Sequence, residues 1–107
     1  NNCPKRGQGW GGLPFVFLCI VICGDFVDHI DYMVGKIGLD HVGISSDFDG
    51  GGGVEGWQDA SETMNVTKKL RERGYSNDEI AKLWGGNLLR VLDEVQEIGE
   101  KMRKGDL

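Results

Sequence analysis

The chain has 107 residues, enough for one small domain, and its net charge of −5 comes without a clustered face of Lys and Arg. This charge balance argues against nucleic acid as a partner. The three cysteines, Cys3, Cys19 and Cys23, contain no C-x-x-C pair, which argues against a zinc ribbon or a disulfide framework.

Residues 13–23 form the long apolar run LPFVFLCIVIC. The run is too short for a membrane-spanning helix, which needs about 20 residues. Its β-branched and aromatic residues predict a buried strand at 14–22. A targeting remnant is the alternative, because Lys5 and Arg6 precede the run, but no small-residue cleavage site follows. The compartment is not identified: without an intact targeting segment, cytoplasm or periplasm is expected, and a membrane is not an expected partner.

After Gly24 the apolar period changes to that of an α-helix. The apolar positions recur at helical spacing over 26–37 and predict a helix that ends at Gly38. They are Phe26, Val27, Ile30, Met33, Val34 and Ile37. Residues 41–45 then predict a short strand, followed by a loop from Asp47 to Gly56.

Residues 62–107 predict three helices. The first covers 62–73 and ends at Gly74. The second begins with a capping box at Ser76–Glu79 and extends to about Trp84, where Gly85 and Gly86 break it. Asn87 is a good N-cap for the third. Arg90 is expected to form a local ion pair, and Trp57 and Trp84 are expected to be packing residues.

Strands that alternate with helices indicate parallel βαβ units. Two strands cannot make a self-sufficient parallel sheet, because such a sheet needs both faces covered and more strands. The pattern therefore predicts that this chain is part of something larger.

Asp47 and Asp49 stand directly after the predicted second strand and before four consecutive glycines. In parallel α/β folds, residues at the carboxyl ends of strands carry the chemistry. An Asx turn that only ends the strand is the alternative, and the residues alone do not decide between the two. A calcium loop is poorly matched, because Gly51 stands at the fifth position, where Asp or Asn is wanted, and Gln58 at the twelfth, where a bidentate Glu belongs.

Residues from about 25 to 96 resemble the C-terminal part of the membrane (renal-type) dipeptidases, peptidase family M19. The resemblance lies in VDHIDYMVGKIGLDHVGISSDFDG (27–50), RERGYSNDEI (71–80) and GGNLLRVLDEV (85–95). It covers about two-thirds of the chain, and residues 1–24 remain an unmatched N-terminal segment.

The resemblance implies an α/β fold, namely the C-terminal portion of a (β/α)8 TIM-barrel metallohydrolase with extra C-terminal helices. Residues 25–107 would be the last barrel β/α unit, with its strand at 41–46, and the C-terminal helices. Asp47 would be the catalytic proton shuttle of a zinc-dependent dipeptidase. Asp49, Gly50 and Gly51 would form the substrate-pocket loop around a dipeptide.

The complete family enzyme would use two zinc ions, but the family's metal ligands belong to earlier strands that this chain lacks. His29 and His41 are expected to be structural, so the chain alone is expected to bind no zinc and to be inactive. A non-catalytic binding module that retains the end of the barrel is the alternative, and a membrane-anchored stub is a third possibility. Homo-oligomerisation is a possible consequence of the missing strands.

Overall fold

The computed structural model describes residues 21–106. Four α-helices dominate this part of the chain, and three short 3₁₀ turns lie between the first two helices. The helices are α1 (Cys23–Ile37), α2 (Thr63–Glu72), α3 (Asn77–Ala81) and α4 (Asn87–Lys104). The 3₁₀ turns are Leu39–His41, Phe48–Gly50 and Ala60–Glu62.

Helix α1 confirms the predicted helix and begins three residues earlier than expected. Asp25 explains the start, because its carboxylate accepts the backbone N–H of Ile22 at 3.1 Å and lies at the positive end of the helix. Gly38 ends the helix as predicted, with φ of 88° and its N–H donated to the carbonyl of Val34 at 2.9 Å.

Helix α2 confirms the helix predicted at 62–73. The capping box of α3 is also confirmed: the N–H of Glu79 donates to Ser76 Oγ at 3.2 Å, and the N–H of Ser76 donates to Glu79 Oε2 at 2.8 Å.

The predicted break at Gly85 and Gly86 is wrong. A π-helical turn, Lys82–Gly86, connects α3 directly to α4, and both glycines lie inside this continuous helical path. Asn87 therefore has helical backbone on both sides and does not cap α4 as predicted.

The strand predicted at 41–46 is not formed in the described part of the chain. His41 lies in a 3₁₀ turn, and although Val42 is extended (φ −112°, ψ 136°), no described segment pairs alongside it. A strand needs a neighbour for its N–H and C=O groups. Here the N–H of Ile44 donates to the carbonyl of Leu83 at 3.0 Å instead.

Residues 21–106 therefore show the helices of the predicted α/β fold but not its strands. The strand predicted at 14–22 lies outside the described residues except for its last two. Within them, Ile22 forms an isolated parallel bridge with Glu55.

One hydrophobic core joins α1, α2 and the start of the π-helical turn. Its members come from every helix except α4 and from the segments around Val42 and Trp57. They are Cys23, Val27, Ile30, Val42, Trp57, Val66, Leu70, Ile80 and Leu83. Val42 and Trp57, which flank the loop that carries Asp47 and Asp49, both belong to this core.

Candidate functional site

The segment that leads to Asp47 is held by the C-terminal elements. The side-chain amide of Asn87 is buried and donates to the carbonyls of Leu39 at 2.7 Å and Val42 at 2.8 Å. Sequence reasoning missed this role, because an Asn after two glycines has the pattern of a helix cap and gives no sign of a partner 45 residues away.

Arg90 adds a second tie to the same turn. One guanidinium nitrogen donates to the carbonyl of Asp40 at 2.8 Å, and the other forms the predicted local ion pair, with Glu94 at 3.0 Å. Lys82 donates to the Asp40 carboxylate at 2.8 Å. This hydrogen bond, together with the charge of Lys82, lowers the pKa of the Asp40 carboxyl.

Asp47 stands at the point where the extended segment turns. Its backbone is left-handed, with φ of 53° and ψ of 34°, a conformation that Asp adopts more readily than most residues. Its carbonyl accepts the N–H groups of Gly50 at 3.0 Å and Gly52 at 2.7 Å. Asp47 therefore does not continue the extended segment, and Asp49 lies in the 3₁₀ turn that follows it.

The glycines after Asp49 pack against the backbone and side chain that precede them. A Cβ atom at Gly50 would lie 2.3 Å from Asp47 Oδ1, and one at Gly52 would lie 2.1 Å from the carbonyl oxygen of Ser46. Gly51 has φ of 94°, which favours glycine. The sequence indicated that glycines were needed here, but it could not show which atoms each one approaches.

Aromatic packing holds the loop to the core. Phe48 packs edge-on against Trp57, with ring centroids 5.3 Å apart, and the Trp57 indole donates to Thr63 Oγ1 at 3.2 Å. Trp84 also packs edge-on against Trp57, with ring centroids 5.9 Å apart, so both tryptophans are packing residues as predicted.

With Phe48 turned towards the core, Asp47 and Asp49 are both exposed. The arrangement therefore presents two solvent-facing carboxylates on a loop whose path is fixed by hydrogen bonds and packing. Such groups can accept or release a proton for a bound ligand.

The described residues do not offer a site that fits a metal pair. Among residues 21–106 no group of three or more His, Cys, Asp or Glu side chains lies close enough together to hold a metal ion. His29 is exposed on α1, and His41 is exposed in the 3₁₀ turn before Val42.

None of the helices in the described part of the chain has the length and apolar character needed to span a membrane.

Comparison with known proteins identifies the family. The model of the membrane dipeptidases, peptidase family M19, matches residues 22–106. The chain is 40% identical over 79 residues to the dipeptidase aclJ of Aspergillus oryzae, a match that covers 73% of this chain and 19% of the relative. It is 38% identical over 78 residues to the dipeptidase tcpJ of Claviceps purpurea, covering 72% of this chain and 18% of the relative.

A solved structure gives the same result. The chain matches the crystal structure of the probable dipeptidase PvdM from Pseudomonas aeruginosa with a TM-score of 0.71 and 61% sequence identity. The match covers 72% of this chain and 19% of the PvdM chain. The chain thus spans about a fifth of the length of the relatives it matches.

Proposed function

The chain belongs to the membrane dipeptidase family, peptidase family M19, and we propose that it is a C-terminal segment of an enzyme that hydrolyses dipeptides. The family match over residues 22–106 carries this proposal. Because the chain spans about a fifth of its relatives, catalysis belongs to the longer protein. The 107-residue chain alone is expected to be inactive.

Asp47 is the proton carrier in this proposal. It accepts a proton from the attacking water as the new C–O bond forms, and it gives that proton to the amine that leaves when the peptide C–N bond breaks. Its exposed carboxylate and its place after the segment held by Asn87 support this role. Asp49 and Gly51, both exposed on the same loop, then line the dipeptide pocket.

Zinc dependence is part of the proposal for the complete enzyme. The resemblance to the family implies two zinc ions, which would supply an activated water. In this proposal their ligands come from earlier strands of the complete barrel, as the resemblance to the family implies.

A hybrid enzyme tests the role of Asp47. Residues 22–106 replace the segment that they match in the Pseudomonas aeruginosa protein, and the unaltered protein is assayed in parallel. We expect the hybrid to hydrolyse a simple dipeptide and Asp47→Asn to lower kcat by about 10²-fold or more, the usual range for a general acid–base group. Zinc content should stay the same, since Asp47 is not proposed as a ligand.

Asp49→Asn is the matched control, because it removes the neighbouring exposed carboxylate of the same loop. We expect a smaller loss of kcat. If Asp49→Asn has the larger effect, or if Asp47→Asn also loses zinc, the role belongs to another residue. Zinc-dependent hydrolysis by the isolated 107-residue chain would contradict the expectation that the chain alone is inactive. A hybrid that folds, retains zinc and binds a dipeptide without hydrolysing it would favour the alternative of a binding module.

A further inference from the structure

We propose that Gly50 is a positioning residue for Asp47, because its lack of a side chain leaves the space in which the Asp47 carboxylate lies. The inference rests on the role proposed above for Asp47. It assigns Gly50 a different task from the lining of the substrate pocket that the sequence suggested.

The contacts at Gly50 are confined to one side chain. A Cβ atom there would lie 2.3 Å from Oδ1, 2.8 Å from Cγ and 2.9 Å from Oδ2 of Asp47. Real Cβ atoms essentially never approach another heavy atom so closely. Gly50 has no left-handed φ, so its backbone accepts alanine, and the carboxylate of Asp47 is what must move.

Gly52 provides the contrast within the same turn. A Cβ atom at Gly52 would lie 2.1 Å from the carbonyl oxygen of Ser46 and 2.6 Å from that of Asp47. These are backbone atoms, so Gly52 is required by the path of the chain. Gly50 is required only by the place of the Asp47 side chain.

Little else holds the Asp47 carboxylate in place. The residue is exposed, and its side chain accepts no capping hydrogen bond from the 3₁₀ turn that follows it. The space over Gly50 is therefore what allows the carboxylate to lie where it does. Displacing a reacting group by about 1 Å can cost about 10²-fold in rate.

The kinetic test is a double-mutant cycle in the hybrid enzyme. We expect Gly50→Ala to lower kcat by about 10-fold or more with little change in KM. The added methyl group displaces the carboxylate that carries the proton, but it does not remove a contact that binds the substrate. In the Asp47→Asn background the same substitution should cause no further loss, because there is no longer a base to misplace.

Gly35→Ala is the matched control. Gly35 is exposed on α1, has no left-handed φ, and a Cβ atom there would meet nothing within 4 Å. We expect this variant to keep the kcat of the hybrid. Equal losses from Gly35→Ala and Gly50→Ala would show general damage to the fold and overturn the proposal.

The two proposals fail in different ways. If Asp47→Asn leaves kcat unchanged, the proposed role of Asp47 is wrong. If Asp47→Asn lowers kcat but Gly50→Ala does not, or if the two losses multiply, only the positioning role is wrong.

A second measurement does not need activity. In the isotopically labelled 107-residue chain, Gly50→Ala should move the NMR signal of the Asp47 carboxyl carbon and leave the folded helix signals of α1 and α2 in place. An unchanged Asp47 signal would overturn the proposal.

Discussion

At the scale of single residues, polar side chains tie together segments that are far apart in the sequence. Asn65 donates its amide to the carbonyl of Gly56 at 2.9 Å, and Thr67 accepts the indole N–H of Trp84 at 3.0 Å. Both belong to Asn65-Val66-Thr67, which has the N-x-[ST] pattern of a glycosylation sequon and whose middle residue is fully buried. In this fold the sequon is therefore a packing element of α2, and its amide is already in use.

Tyr75 forms a similar tie and gives a prediction about pH. Its hydroxyl donates to Asp31 at 2.8 Å. Burial of the phenol, followed by this hydrogen bond, raises the pKa of Tyr75 to about 12. The unfolded chain ionises at about pH 10, so the folded state holds the proton more tightly. The contribution of Tyr75 to the free energy of unfolding should thus be fully present and constant below about pH 10, and it should be lost as the pH rises to about 12.

Tyr32→Phe makes this measurable, because it leaves Tyr75 as the only tyrosine of the chain. The ultraviolet absorbance of tyrosinate, followed against pH, should then show a midpoint near 12. Asp31→Asn should lower that midpoint, since it removes the charged acceptor. A midpoint at the ordinary tyrosine value of about 10 in the folded Tyr32→Phe chain would contradict the prediction.

At the scale of elements, local signals in the sequence were sufficient to predict where α1 and α3 lie. Apolar spacing and Gly38 located α1, and the capping box located α3. The strand prediction failed because contacts with residues distant in the sequence determine whether a strand forms. The extended segment after Val42 needs neighbouring strands, and those are not among residues 21–106.

The same distinction applies to the candidate site. The sequence predicted a candidate site at Asp47 and the glycines after it, because residue types and their order are local information. It could not show the left-handed backbone of Asp47 or the approach of Gly50 to its carboxylate. It also could not show that Asn87 supports the segment before Asp47, because that contact depends on the tertiary fold.

The π-helical turn gives a prediction at this scale. Gly85 lies inside a continuous helical path, and a Cβ atom there would meet nothing within 4 Å. Gly85→Ala should therefore raise the free energy of unfolding by about 0.5–1 kcal/mol, because alanine loses less backbone entropy on folding. Urea denaturation of the chain, followed by circular dichroism, measures the change.

Gly86→Ala is the control for the Gly85 variant. A Cβ atom at Gly86 would lie 3.3 Å from the carbonyl oxygen of Ala81, so the gain there should be smaller. A clear loss of stability in Gly85→Ala would mean that the helix breaks at this glycine, as the sequence alone had predicted.

At the scale of the whole molecule, much apolar surface is left uncovered. On α4 the exposed apolar residues recur at helical spacing and form one stripe along the helix. They are Leu88, Val91, Leu92, Val95, Ile98 and Met102. On α1, Met33 and Ile37 belong to the predicted apolar face but are exposed. A chain that spans about a fifth of its relatives leaves such faces without the rest of the fold.

We therefore expect the isolated 107-residue chain to associate with itself, because contiguous exposed apolar surface favours burial against another copy. Sedimentation equilibrium over a range of concentrations measures this. Val95→Lys places a charge in the middle of the α4 stripe without weakening the helix, since lysine is a good helix former. It should weaken association at every concentration.

Asp93→Asn is the matched control for Val95→Lys. It changes the net charge by the same amount, but its position on α4 is nearly opposite the stripe, about 160° around the helix from Val95. If association depends on burial of the stripe, Asp93→Asn should leave it nearly unchanged. If both variants weaken association equally, net charge is the cause and the stripe is not the contact. A monomeric chain at all concentrations, with a sharp cooperative unfolding transition, would contradict the prediction, because the packed core of α1, α2 and Leu83 would then suffice without a partner for α4.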